Sequence, residues 1–242
     1  MQSQARRIGM VTPSSNTVLE PVTLELAAGV PGLSVHFTRL RVTRISLDPA
    51  DTGQFDQPAM VRAARLLSDA QVDVIAWNGT SGSWLGPEYD RAVCRAIEQA
   101  TSVPATTSTL AVLAALEAYD VRRLGLITPY TEDIAEAIAA NYAAHGFPVH
   151  AARHLGRTTN FDFALISEGE LERAFHELAA GGCDAVAVVC TNLRAAHLAR
   201  RWEERTGITV VDSVAATLWA TLRRTGSRAE VRGYGRLLDT PA

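Results

Sequence analysis

The chain contains two diverged copies of one pattern, and this duplication limits its fold more than any other feature. Arg7-Ile8-Gly9-Met10-Val11-Thr12-Pro13-Ser14 returns as Arg123-Leu124-Gly125-Leu126-Ile127-Thr128-Pro129-Tyr130. Val72-Asp73-Val74-Ile75-Ala76-Trp77-Asn78-Gly79-Thr80 returns as Cys183-Asp184-Ala185-Val186-Ala187-Val188-Val189-Cys190-Thr191. A third pair sets Val103-Pro104-Ala105-Thr106-Thr107-Ser108 against Ile208-Thr209-Val210-Val211-Asp212-Ser213. The blocks keep their order, so the copies differ in loops. Two copies of domain-half size predict a paired architecture and not a solenoid. Halves meeting about a pseudo-two-fold axis would bring Gly79 and Cys190 to opposite walls of one cleft.

Short apolar runs without alternation recur between longer amphipathic stretches, the pattern of parallel strands covered on both faces by helices. Strands are expected at Ile8–Val11, Ser34–Thr38, Val72–Trp77 and Ala105–Thr107, with counterparts at Leu124–Ile127, Val149–Arg153, Ala185–Val189 and Thr209–Val211. Helices are expected at Val18–Ala28, Gln57–Asp69, Tyr89–Thr101 and Ser108–Tyr119, then Thr131–His145, Ser167–Ala180, Leu193–Thr206 and Ser213–Arg224. The fold class is α/β, two doubly wound parallel-sheet halves with the active site between them. The boundary falls near Tyr119–Arg123, giving halves 1–119 and 120–242; the final helix and the tail from Arg232 are free to cross back onto the first half.

Composition narrows the function. A net charge of −3 supplies no basic footprint for nucleic acid. No apolar run approaches the ~20 residues of a membrane span. Three cysteines (Cys94, Cys183, Cys190) favour a reducing cytoplasm over a disulfide framework. All 23 basic residues are arginine, which excludes Schiff-base chemistry on a protein lysine and a P-loop lysine. Cys183, Cys190 and His197 lack zinc-site spacing, so no metal is expected. None of the six histidines falls at a predicted strand end.

In open parallel sheets ligands sit beyond the carboxyl ends of the strands. Gly79-Thr80-Ser81-Gly82 and Cys190-Thr191-Asn192 both occupy that position, ahead of expected helices. Their free N–H groups would cradle an anion, with Thr80, Ser81, Thr191 and Asn192 adding side-chain donors. The plainer alternative makes these residues helix N-caps. Asn16 and Tyr130 follow the opening strand of each half and would close the same cleft. Cys190 ends its strand and opens a helix, where the dipole can lower a thiol pKa; Cys94 and Cys183 read as buried small hydrophobes.

Gly9-x-x-x-Pro13-Ser14-Ser15-Asn16-Thr17-x-x-Glu20, Gly79-Thr80-Ser81, Tyr130, Thr159-Asn160-Phe161 and Cys190-Thr191 together resemble the aspartate/glutamate racemase superfamily. They are most similar to its maleate cis-trans isomerase and arylmalonate decarboxylase branch. The resemblance runs from about Arg7 to Arg224. It implies cofactor-independent chemistry on carbon acids beside a carboxylate. Racemases place a cysteine on each wall. Maleate isomerases use the first as nucleophile and the second as proton donor. Arylmalonate decarboxylases keep only the second, which protonates an enediolate. Gly79 stands at the first position here, as in the decarboxylases, whereas Asn16, Asn160 and Cys190-Thr191-Asn192 look like the isomerases.

The expectation is a decarboxylase of a malonate-type or related small dicarboxylic acid. Cys190 and Tyr130 would be catalytic, and Asn16, Gly79, Thr80, Ser81, Asn160, Thr191 and Asn192 would bind substrate. Trp77, Trp84 and Leu85 would supply apolar surface for the departing carboxylate. The alternatives are a maleate-isomerase-like enzyme with Cys190 as nucleophile, and a non-catalytic carboxylate-binding protein. No nucleic-acid, membrane or cofactor partner is expected, and an apolar duplicated domain of this kind often pairs with a second copy of itself.

Overall fold

Each half of the molecule builds a four-stranded, all-parallel sheet whose inner strands are buried and whose outer strand on one side is only half-buried. The computed structural model describes residues 5–227 and 229–239. The first sheet contains β1 (Arg6–Pro13), β2 (Leu33–Leu40), β3 (Val74–Trp77) and β4 (Ala105–Thr107), in the order β2-β1-β3-β4. The second contains β5 (Leu124–Thr128), β6 (Val149–His154), β7 (Ala185–Val188) and β8 (Thr209–Asp212), in the order β6-β5-β7-β8. The orders are the same under the duplication, and so is the central register: Ile8 pairs with Val74, as Leu124 does with Ala185; the β5–β6 pair differs from β1–β2 by a shift at Leu124/Gly125. Asp73 accepts the Arg7 amide and Asp184 the Arg123 amide, closing the same junction twice.

The first half carries α1 (Leu19–Ala27), α2 (Pro49–Thr52), α3 (Gln57–Asp69), α4 (Gly82–Leu85), α5 (Pro87–Thr101) and α6 (Ser108–Ala118). The second carries α7 (Glu132–Ala144), α8 (Asn160–Phe163), α9 (Glu168–Ala180), α10 (Ala199–Thr206), α11 (Ser213–Arg224) and α12 (Arg236–Asp239). Helix starts follow local chemistry. Asp56 accepts the Ala59 amide ahead of α3, and Ser167 and Glu170 form a reciprocal capping box at α9. After α9, Gly181 stays right-handed and Gly182 takes the positive φ of +79° that turns the chain into β7.

α6 and α11 occupy matching positions in the two halves and pack against each other. The α6 sequence, Ser-Thr-Leu-Ala-Val-Leu-Ala-Ala-Leu-Glu-Ala, has no strong polar face, as suits a helix buried between layers. Thr217 Oγ1 donates to Ser108 Oγ, which donates to Asn78 Oδ1, a polar thread across this seam.

The chain's end touches both halves. Arg236 bonds Glu203 and the Gly207 carbonyl, while Tyr234 donates to Glu25 at 2.6 Å. Residues 240–242 of the tail lie outside the described residues.

One expected helix is wrong at its start. Leu193–Thr206 was expected to be helical throughout, but residues 191–195 form turns, a short 3-10 turn spans Ala196–Leu198, and α10 begins at Ala199. Asn192 spends its side chain on the first half, accepting the Thr17 amide at 3.0 Å and donating to the Asn160 carbonyl at 2.6 Å. Those tertiary bonds override local helix preference.

Candidate active site

The carboxyl ends of β1, β3, β5 and β7 meet at one small cavity. Its lining includes Gly79, Thr80, Ser81, Tyr130, Asn160, Cys190 and Thr191, with Pro13, Val42, Ile45, Phe55, Trp77 and Trp84 as the apolar remainder. The free space is about 20 Å³, room for about one water. A larger groove of about 520 Å³ runs between α6 and α11, floored by Trp219. None of the expected site residues lines that groove.

Tyr130 links the two walls. Its hydroxyl lies 2.9 Å from Thr80 Oγ1 on the first wall and hydrogen-bonds the Cys190 thiol on the second. Burial, then the adjacent Cys190 sulfur, holds the phenol well above its ordinary pKa. Tyr130 is wedged edge-on between Trp84 and Phe163, with centroids at 5.2 and 5.4 Å.

Cys190 departs from the expected electrostatics. It does not open a helix, and burial pushes its thiol up to about 12, despite opposing bonds from the Asn192 amide and Tyr130. The amide of Asn192 reaches Sγ at 3.3 Å. Nearby Asp212 adds repulsion against a thiolate. Burial therefore favours the thiol over the thiolate at neutral pH.

Asn16 and Asn192 stand one layer behind the lining. Asn16 Oδ1 accepts the amides of Val18 and Leu19, both at 2.9 Å, in the turn that leads into α1. Its Nδ2 donates to Thr191 Oγ1 at 3.1 Å, and Thr191 donates to the Asn78 carbonyl at 3.3 Å. Asn160 lines the cavity and donates to Ser15 Oγ at 2.8 Å.

Gly79 reaches the cavity, but the first wall there is filled by Trp77. A Cβ placed on Gly79 would lie 2.4 Å from Cζ2 of the Trp77 indole and 2.6 Å from Cε2. Trp77 Nε1 donates to Ser81 Oγ at 3.0 Å, so Ser81 holds the ring.

Of the aromatic guesses, Trp77 and Trp84 line the cavity and Leu85 does not. Trp84 Nε1 is buried with no partner among the described residues. Sequence reasoning missed Val42, Ile45 and Phe55. They lie in the segment after β2, where strand-end logic could have sought them. Ile45 N bonds the Thr158 carbonyl and Asn160 N the Thr43 carbonyl, so this segment closes the cavity against the second half. Arg39 lies at the surface, where it pairs with Glu20 at 2.9 Å and donates to the Ser14 and Asn16 carbonyls. His154 does end a strand, β6, where it meets Thr128 Oγ1 at 3.0 Å, away from the cavity lining. Among the described residues no cluster of His, Cys, Asp or Glu could hold a metal, and no helix is long and apolar enough to cross a membrane.

Known proteins are similar to this chain along nearly all of its length. Arylmalonate decarboxylase of Bordetella bronchiseptica is 31% identical over 98% of both chains. A cysteine-to-serine variant of Nocardia farcinica maleate cis-trans isomerase, solved with a covalently bound succinylcysteine intermediate, superposes with a TM-score of 0.88 at 27% identity, over 97% of this chain and 98% of that one. A double variant of arylmalonate decarboxylase in a liganded form superposes with a TM-score of 0.86 at 29% identity, over 97% and 99%. The model of the arylmalonate decarboxylase family matches residues 8–238, and the chain belongs to that enzyme family.

Proposed function

We propose that this enzyme decarboxylates a small malonate-type dicarboxylic acid with a single thiol as proton donor. The observation that carries it is the Trp77–Gly79 contact: with the indole where a first-wall side chain would project, Cys190 is the one cysteine that lines the cavity. One carboxylate of the substrate is retained on the donors around it, the hydroxyls of Thr80, Ser81, Tyr130 and Thr191. The other lies toward Trp77, Trp84, Val42 and Phe55, where it gains no charged partner. The bond to that carboxylate breaks, carbon dioxide leaves, and the electron pair moves into the retained group as an enediolate. Fixed donors hold that growing charge better than they hold the ground state. Cys190 then delivers its proton to the α-carbon, and the resulting thiolate regains one from solvent. Asn16 and Asn192 act as positioning residues, holding Thr191 and the loop that bears it.

Proton NMR in D₂O with a panel of malonates and maleate tests this. Loss of carbon dioxide with one deuteron gained at the α-carbon is expected, and Cys190→Ala should slow it by about 10²–10⁴.

A second reading has its own support. The Tyr130 hydroxyl beside Cys190 supplies a proton donor for an isomerase with Cys190 as nucleophile, and the Nocardia relative carries a succinylcysteine. Conversion of maleate to fumarate in the same panel would select it. A non-catalytic carboxylate binder would be indifferent to Cys190→Ala.

A further inference from the structure

Trp77 differs from every other aromatic residue of the cavity in what it displaces. Gly79 does not have a left-handed backbone, so nothing in its conformation requires glycine. The indole alone forbids a side chain there, with three ring atoms within 3.1 Å of a Cβ. The ring is fully buried, pinned by its bond to Ser81, and buttressed edge-on by Phe55 at 6.4 Å. Phe55 in turn meets Trp84 at 5.7 Å, and Trp84 meets Tyr130. The rings therefore pack edge-on against one another, beside a remaining space of about 20 Å³.

We infer that Trp77 is the specificity-determining residue of the site, and that the substrate's α-substituents are small and aliphatic. The indole takes the volume that an α-aryl group would need at the first wall. A methyl or ethyl group needs only a modest parting of the walls, whereas a phenyl ring must displace an indole held at both edges. This inference rests on the malonate reading for the ligand's two carboxylates, but not on turnover.

The experiment compares the whole enzyme with Trp77→Phe, Trp77→Leu, Gly79→Ala and the Trp77→Leu/Gly79→Ala pair. Methylmalonate and phenylmalonate serve as probes, read by ligand-induced thermal shift and by NMR turnover. The unsubstituted enzyme should be shifted by methylmalonate and not by phenylmalonate. Trp77→Leu should swing the preference towards phenylmalonate by at least about tenfold in kcat/KM, a difference a pocket's hydrophobic volume can supply. Trp77→Phe, the milder change if leucine fails to fold, should swing it part of the way. Gly79→Ala should lower Tm by on the order of 5 °C, and by much less when Trp77 is already leucine.

Equal shifts from both acids in the unsubstituted enzyme, or no shift from either, would overturn the inference. So would an unchanged preference in both Trp77 variants. Selective binding of methylmalonate without decarboxylation by any variant would sink the decarboxylase reading and leave the role of Trp77 standing.

Discussion

Burial decides what Cys190 can do. Its thiol is pushed up to about 12, and the neighbouring Tyr130 phenol is held high for the same reason. A donor of this kind stays protonated across the neutral and mildly alkaline range. The decarboxylation rate should therefore be flat up to about pH 9, with no ascending limb from thiolate formation. An isomerase that needs a thiolate nucleophile should instead gain rate as pH rises, so a pH–kcat profile separates the two. Tyr130→Phe removes the shared hydrogen bonds to Thr80 and Cys190 while keeping the ring between Trp84 and Phe163. It should cost about 10²–10³ in kcat with an unchanged far-UV spectrum. Ser81 adds a lesson at this scale: it was expected to bind substrate, and its oxygen is already engaged by the Trp77 indole. That hydroxyl can still donate to a ligand while accepting from the ring.

Elements that rest on local chemistry were readable from the chain, and those that rest on contacts across the cleft were not. Gln57–Asp69 and Ser213–Arg224 are helical over the spans that periodicity gives, each with an acidic N-cap. Asp212 caps α11 through the Val214 and Ala215 amides at 2.9 and 3.0 Å. Asp212→Ala should cost about 1–2 kcal/mol in urea unfolding, and Asp212→Asn much less. By contrast, the turns at 191–195 exist because Asn192 is spent on Thr17 and Asn160. The segment from Val42 to Phe55 has neither helical nor strand periodicity. Side chains hold it: Gln54 accepts the Thr43 amide, and the Ser14 and Ser15 hydroxyls donate to the Val42 carbonyl. The serine partners lie 28 and 27 residues from Val42, beyond any periodicity window, so the roof of the cavity was harder to read than its walls.

At the scale of the whole molecule, the two halves each bury an acid. Asp90 in the first half accepts from Thr107 Oγ1, itself the cap of α6, and Asp212 caps the matching helix of the second. Desolvation raises both to about 7, against hydrogen bonds that pull the other way. Each has one carboxyl oxygen without a partner among the described residues. A folded-state pKa above the unfolded value means that the native protein binds more protons between them. The stability these acids confer is full below about pH 4 and lost as pH rises through about 7. Tm should therefore fall between about pH 5 and pH 8, and the fall should flatten in Asp90→Asn/Asp212→Asn, as scanning calorimetry would record. The duplication that made the architecture legible also made this pairing hard to see, because the matching position is threonine in one copy and aspartate in the other.

The contact between Trp77 and Gly79 also bears on how such a chain can change by descent. Substitutions at the two sites are not interchangeable in time. A thiol appearing at position 79 while the indole is in place would put its Cβ 2.4 Å from a ring atom and cost stability from the outset. Shrinkage of Trp77 first leaves a viable, looser intermediate. The route from one thiol to two therefore costs less stability when residue 77 changes first.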